Sequence, residues 1–321
     1  MELPKLGFGG APIGGLLDPV NDEAAVATLE AAIAAGIRYF DTAPYYGFGL
    51  SEHRLGNALR DRDAVMVSTK VGRLLKPGLP TDPASFGWPK PLPFHPVFDY
   101  SYDGVMRSFE DSLQRLGLAT VDILFIHDVD LFTHHDSEVQ AGYFSDAMSG
   151  GYKALDELRR AGQVKAIGIG VNENEICLQT LDRGDWDVFL LAGRYTLLEQ
   201  AALDPLFVRC AENGVRIVIG GPFNSGILVG GTTWDYAEAP KEIQTRVAGL
   251  KGICEAHGVA LPAAALQFPL AHPVVASVIP GTRTPAEFGA VIEWHDAPIP
   301  AAFWSDLKAA GLLHPDAPTP A

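Results

Sequence analysis

The chain has 321 residues, 47% of them hydrophobic and 20% charged, with 39 Asp and Glu against 24 Lys and Arg and a net charge of −15. That length suits one large α/β barrel or two ordinary domains, and the acidic balance excludes a surface made for nucleic acid or an anionic membrane, since little here would release counterions from phosphates. Cys177, Cys210 and Cys254 are widely spaced with no CxxC pair; with no apolar run of membrane-spanning length and no leader-like start, a cytoplasmic chain without disulfides is expected.

Short β-rich runs recur at residues 6–9, 38–42, 65–70, 121–127, 164–171, 188–194, 216–220 and 275–280. Helical spacing of apolar residues fills stretches between them, such as 21–35, 102–116 and 151–160. Asn21 and Ser101 stand where N-caps are wanted, and Gly36, Gly117, Gly162 and Gly214 where chains leave helices. The run at 121–127 is apolar at consecutive positions, as in a parallel strand buried on both faces. Eight such units predict a single (β/α)8 TIM barrel over residues 1–321, with an open doubly wound sheet as the rival. Residues 74–100, rich in Pro and Gly, form a long loop after the third strand, on the face where barrels build active sites. The Pro-rich tail after Leu313 is expected to be flexible.

Asp41 ends the second predicted strand, Lys70 the third and His127 the fourth, while Tyr46 follows Asp41 on a glycine-bearing loop. Taken singly, each has an ordinary reading: surface charge, helix cap or packing. Together, at neighbouring strand ends, they face one mouth. Asp and Lys can pair, and an ammonium beside a phenol favours phenolate and is expected to lower the tyrosine pKa. A phenol so tuned exchanges a proton with an alcohol or carbonyl oxygen, and a histidine orients that oxygen. Such a site lacks an electron donor, and a nicotinamide is the natural complement.

The segment Arg38-Tyr-Phe-Asp-Thr-Ala-Pro-Tyr-Tyr-Gly47, with Ser51-Glu-His-Arg-Leu-Gly56, resembles the aldo-keto reductase signature. The likeness runs on through Ser68-Thr-Lys70-Val-Gly, residues 108–117, Gly162-Gln-Val-Lys-Ala-Ile-Gly168 and Ile279-Pro-Gly-Thr-Arg283, covering nearly the whole chain. It implies a catalytic set of Asp41, Tyr46, Lys70 and His127. Lys70-Val-Gly-Arg73 before the Pro-rich insert, Tyr100-Ser-Tyr-Asp-Gly104, His127-Asp128 and Gly170-Val-Asn172-Glu are similar to the aldose 1-dehydrogenase branch, which includes L-fucose (D-threo-aldose) dehydrogenases and a pyridoxal 4-dehydrogenase. The resemblance implies NAD(P)-dependent oxidation of an aldose at its anomeric carbon to a lactone, with a small sugar or aldehyde as partner. Pyridoxal oxidation and general carbonyl reduction are the alternatives.

The same resemblance implies cofactor contacts from Gly10, Asn172, Gly220, Pro222, Phe223, Asn224, Gly226, Leu228, Gly281, Thr282, Arg283 and Glu287. Several depart from the family pattern: its Ser-Asn pair falls on Gly170-Val171, its sixth-strand Gln on Ala192, and the aromatic that stacks on nicotinamide on Gly220. Glu287 stands where many NADP-specific members place a basic residue, and a carboxylate there repels a 2′-phosphate. The lean is to NAD over NADP, with Arg283 pulling the other way. Tyr45, Trp88, Phe94 and Phe98 are expected to shape the substrate pocket. Asp128, Asp130, His134, His135 and Asp136 could be read as the metal site of a barrel hydrolase, but a solvated acidic loop and no metal are expected. A cofactor-binding regulatory subunit is the non-enzymatic reading, and the full tetrad speaks against it.

Overall fold

The computed structural model describes residues 2–320. Eight parallel strands form one sheet in sequential order: β1 (Phe8–Gly9), β2 (Tyr39–Asp41), β3 (Met66–Val71), β4 (Ile123–His127), β5 (Ala166–Val171), β6 (Val188–Ala192), β7 (Arg216–Gly220) and β8 (Val275–Ile279). The ends of the order meet, because Leu6 bridges Val278 and the Gly7 and Gly9 amides donate to the carbonyls of Val278 and Pro280. The sheet is thus a (β/α)8 barrel, and the open-sheet rival is set aside.

Alternation along each strand divides the apolar residues between two cores. Ile123 and Phe125 join Tyr39, Val188, Leu190 and Val218 inside the barrel, while Leu124 and Ile126 join the larger cluster under the helices. Both sets are fully buried or nearly so, and each such side chain contributes about 1.5–3 kcal/mol by leaving water. This two-sided burial is why the strands read as unbroken apolar runs.

The helices begin where their caps dictate. Asn21 accepts from the Ala24 amide at 2.8 Å to open α1 (Asp22–Ala34), and Ser101 accepts from Gly104 to open Tyr102–Leu116. Gly36, Gly117, Gly162 and Gly214 all have positive φ. Between α2 (Leu50–Leu59) and the Tyr102–Leu116 helix the backbones nearly touch: a Cβ on Gly56 would lie 2.0 Å from the Leu116 carbonyl oxygen. No described helix is long and apolar enough to cross a membrane.

The stretch 74–100, expected as a long loop, holds an antiparallel hairpin, Arg73–Pro77 against Phe94–Phe98, around a short turn of helix at Pro83–Phe86. Its prolines hid it: Pro77 and Pro96 sit in a two-stranded ribbon, where a missing N–H can face outward. The hairpin leaves β3 at Gly72 (φ +99°), where any Cβ would lie 2.3 Å from the Tyr100 ring. At the other end of the chain, Leu313 and Ala317 are buried in the outer core, while residues 314–316 between them are exposed.

Candidate active site

Strands β2, β3 and β4 deliver Asp41, Lys70 and His127 to one end of the barrel, and the turn after β2 brings Tyr46 over them. Lys70 Nζ donates to Asp41 Oδ2 at 2.6 Å, to the Thr42 carbonyl at 2.9 Å and to the Tyr46 hydroxyl at 3.0 Å. An ammonium has three protons, and all three are committed. Ser68 donates to the other Asp41 oxygen at 2.6 Å, fixing the carboxylate from behind. Gly170 of β5 leaves space for the lysine stem, since a Cβ there would stand 3.3 Å from Lys70 Cε.

Burial governs the electrostatics of this group. It pushes Asp41 above the usual carboxylate range despite Lys70 and Ser68. Burial also pushes the Tyr46 phenol well up, with Asp41 and Asp128 adding and Arg73 opposing. The expected lowering of Tyr46 is therefore not found: Asp41 cancels the charge of Lys70, and desolvation of the phenolate wins. His127 moves well below the ordinary imidazole value through burial, Arg73 and Lys70, and is neutral at physiological pH. Its ring lies 5.8 Å from that of Tyr46, and its Nδ1 is buried without a partner.

These groups open onto a cavity of about 660 Å³. Tyr45, Trp88 and Phe98 line it as expected, and Tyr45 stands edge-on to Trp88 at 5.5 Å. Phe94 does not. It pairs with Pro77 at the far end of the hairpin, too distant along the ribbon to reach the mouth. The hairpin is tied to the loops around the cavity: Leu92 donates to the Gly47 carbonyl, Leu17 to Gly87, and the Tyr45 hydroxyl to Phe86.

Three cavity residues were given no pocket or catalytic role by the sequence. Arg73, at the root of the hairpin, has its guanidinium carbon over the Tyr45 and Phe98 rings, 3.8 and 4.8 Å from their centroids, and pairs with Asp128. Asp128 follows His127 and has φ +49°. Burial raises its carboxyl to about 6 against the pull of Arg73. Tyr236, at the tip of a small hairpin (Thr233–Trp234 with Ala237–Glu238), brings its hydroxyl to 3.5 Å from Asn172 Oδ1. Opposite charges just past adjacent strand ends, the signal that marked Asp41 and Lys70, also marked Arg73 and Asp128.

Of the residues assigned to a cofactor, Asn172 lines the cavity, its Nδ2 3.3 Å from Asp128 Oδ1. Gly10 is packed beside the β2 end, where a Cβ would lie 2.6 Å from the Asp41 carbonyl. Gly220 ends β7; a Cβ there would press on Leu190. Beyond it, Pro222 and Leu228 are buried, the Phe223 ring packs edge-on against Trp294, and Gly226 has φ +102°. The Asn224 amide is held internally, accepting from Thr196 at 2.6 Å and donating to the Gly193 carbonyl. At the β8 end, Gly281 abuts Pro12, and the Thr282 hydroxyl and Arg283 Nε are buried without partners. The Arg283 amide donates to Glu287 at 2.7 Å, and its guanidinium to the Leu16 carbonyl.

The acidic loop after β4 is solvated only in its second half, where His135 and Asp136 are exposed. Asp130 is fully buried, accepting from the Thr133 and Asn172 amides; Asp136 caps the helix Ser137–Asp146; and His134 packs on Phe98 and Tyr143. Among the described residues, no three His, Cys, Asp or Glu side chains gather in a metal-holding group. The three cysteines are free and buried.

Comparison with known proteins agrees with this geometry. Residues 5–311 match the model of the aldo/keto reductase family. The chain is 45% identical over 327 positions to pyridoxal 4-dehydrogenase of Microbacterium luteolum, covering 98% of this chain and 95% of that one. It is 40% identical to D-threo-aldose 1-dehydrogenase of a Pseudomonas species, over all of this chain and 96% of the relative. L-galactose dehydrogenase of Arabidopsis thaliana is 31% identical over 88% of this chain and 81% of its own. Among solved structures, a holo-form aldo-keto reductase from Bacillus halodurans superposes with a TM-score of 0.74 at 22% identity, covering 98% of this chain and 93% of that one, a likeness of fold.

Proposed function

The chain belongs to the aldo/keto reductase family and is an NAD(P)-dependent oxidoreductase, and from that premise we propose that it oxidises the anomeric carbon of an aldose of the L-fucose, or D-threo, type to a lactone. The observation that carries this is the Lys70 ammonium held between Asp41 at 2.6 Å and the Tyr46 hydroxyl at 3.0 Å, on the wall of a cavity faced with aromatic rings. Asp41, Tyr46, Lys70 and His127 are its catalytic set.

A nicotinamide dinucleotide fits the residues present. The unpartnered Thr282 hydroxyl and Arg283 Nε suit an anionic group at the β8 end, and Asn172 offers an amide within the cavity. When bound, the oxidised nicotinamide supplies the acceptor for the hydrogen and electron pair leaving the anomeric carbon. Tyr46 Oη takes the proton of the anomeric hydroxyl, Lys70 stabilises the phenolate this requires, and Asp41 keeps Lys70 aimed. Neutral His127 orients the reacting oxygen by a hydrogen bond. Trp88 and Tyr45 keep water from the site. The Glu287 carboxylate beside the Arg283 amide favours NAD over NADP, because a 2′-phosphate would meet like charge there.

Pyridoxal is the second reading, favoured by the name of the 45% identical relative. Its aldehyde closes onto its own hydroxymethyl group, so it offers the same cyclic hemiacetal carbon as a sugar. Absorbance of reduced nicotinamide, read with NAD and NADP against L-fucose, D-arabinose, L-galactose, L-glucose and pyridoxal, tests both. Turnover of a sugar that vanishes in Tyr46→Phe supports the aldose reading. Turnover of pyridoxal alone replaces it with the second, and inertness toward all five rejects both.

A further inference from the structure

The geometry points to Asp128, held in place by Arg73, as the specificity element of the cavity: its carboxylate accepts a hydrogen bond from the hydroxyl on the carbon next to the reacting carbon. This deepens the function proposed above and rests on its placing of the reacting oxygen at Tyr46.

The pair lies in the cavity wall, with side chains 6% and 12% exposed for Arg73 and Asp128. Asp128 is the more open partner. Its Oδ2 receives Arg73 Nη2 and lies 3.3 Å from His127 Nε2, while its Oδ1 has only the long 3.3 Å contact with Asn172 Nδ2. A carboxylate offers about four acceptor positions, so at least one is left for a ligand donor. His127 is the spacer: its ring faces Tyr46 at 5.8 Å and its Nε2 reaches Asp128. An oxygen held at Tyr46 and a second on the next carbon can therefore meet both groups together.

Charge selects the chemistry of the ligand. Lys70 is balanced by Asp41 and Arg73 by Asp128, so neither a cation nor an anion finds an uncompensated partner, and a neutral hydroxyl does. Pinning the hairpin is not a sufficient reason for a buried ion pair, which gains little net stability over apolar packing. The hairpin region is already held by backbone bonds from Leu92 to Gly47, Leu17 to Gly87 and Asp99 to Gly72. Arg73 acts through Asp128 as a positioning residue, its guanidinium held over the Tyr45 and Phe98 rings.

The test compares substrates that differ only in the neighbouring hydroxyl. D-arabinose against 2-deoxy-D-ribose probes oxidation; 2-hydroxypropanal against propanal probes reduction and does not depend on the aldose reading. Wild type should prefer the hydroxylated member in kcat/KM. In Asp128→Asn that preference, read as the ratio of kcat/KM within each pair, should shrink about 10- to 100-fold, the value of a hydrogen bond to a charged group. Arg73→Met should act in the same direction, and Arg73→Lys should restore part of the preference. A purely structural role would instead lower both members of each pair alike. If the sugars are inert but 2-hydroxypropanal is preferred until Asp128 is changed, the aldose reading fails and this one stands. A wild type that treats both pairs without preference, or is inert to all four compounds, overturns it, whether or not the variants fold.

Discussion

Two buried ion pairs line one cavity and are built in different ways. Asp41–Lys70 joins neighbouring strands β2 and β3, whose register sets the spacing, and its side chains are 3% and 1% exposed. Arg73–Asp128 joins the root of an inserted hairpin to the residue just past β4, and keeps an acceptor open to the cavity. The first is closed on itself, with every lysine proton spoken for. Chemistry common to all substrates suits a closed pair on rigid strands, and discrimination among substrates suits an open pair on an insert.

The largest effect should come from the closed cluster. Tyr46→Phe is expected to lower kcat by on the order of 10²–10⁴-fold with cofactor binding intact, and Lys70→Met nearly as much, in single-turnover and steady-state assays. The high pKa of Tyr46 sets a direction as well: oxidation needs the phenolate, so its rate should rise with pH into the alkaline range, while carbonyl reduction should fall. A flat profile in both directions would remove Tyr46 as the proton-transfer group. Next, Asp41→Asn should destabilise the fold by about 3–5 kcal/mol in denaturant titration, because it strands a buried ammonium. Asp128→Asn should cost less, since Arg73 keeps its two aromatic faces.

A smaller effect separates the pairs by pH. Asp128 titrates near 6 among Arg73, Lys70, Asp130 and neutral His127. As pH falls through that value the carboxyl gains a proton and becomes a weaker acceptor. Preference for D-arabinose over 2-deoxy-D-ribose should therefore decline below about pH 6, and a preference constant from pH 5 to 8 would contradict the role given to Asp128. The smallest effect lies farthest from the chemistry. Glu287→Lys should shift the kcat/KM ratio toward NADP by about threefold to tenfold, as expected for one exposed charge near a phosphate.

The barrel was legible because strands buried on both faces must be apolar at consecutive positions, as in Ile123–His127, and because caps such as Asn21 and Ser101 announce helices locally. Asp41, Lys70 and His127 were legible for a related reason, since a strand end has one direction to face. Prolines masked the hairpin, and with it the fact that Phe94 lies at its far end while Arg73 lies at its root. The shift of Tyr46 was misread because sequence names the neighbouring cation but not the depth of burial. In the segment after β7, Asn224 reads from sequence as a polar ligand, and its internal bonds to Thr196 and the Gly193 carbonyl could not be read there.

Gly72 divides the work of the chain at a single joint. Lys70 lies before it and Arg73 after it, so only Val71 and Gly72 stand between the lysine of proton chemistry and the arginine that positions Asp128. An exchange of the insert between Gly72 and Tyr100 would leave every partner of the lysine in place. The positioning of Asp128 could thus be altered while the lysine's proton chemistry is kept, with a glycine as the splice point.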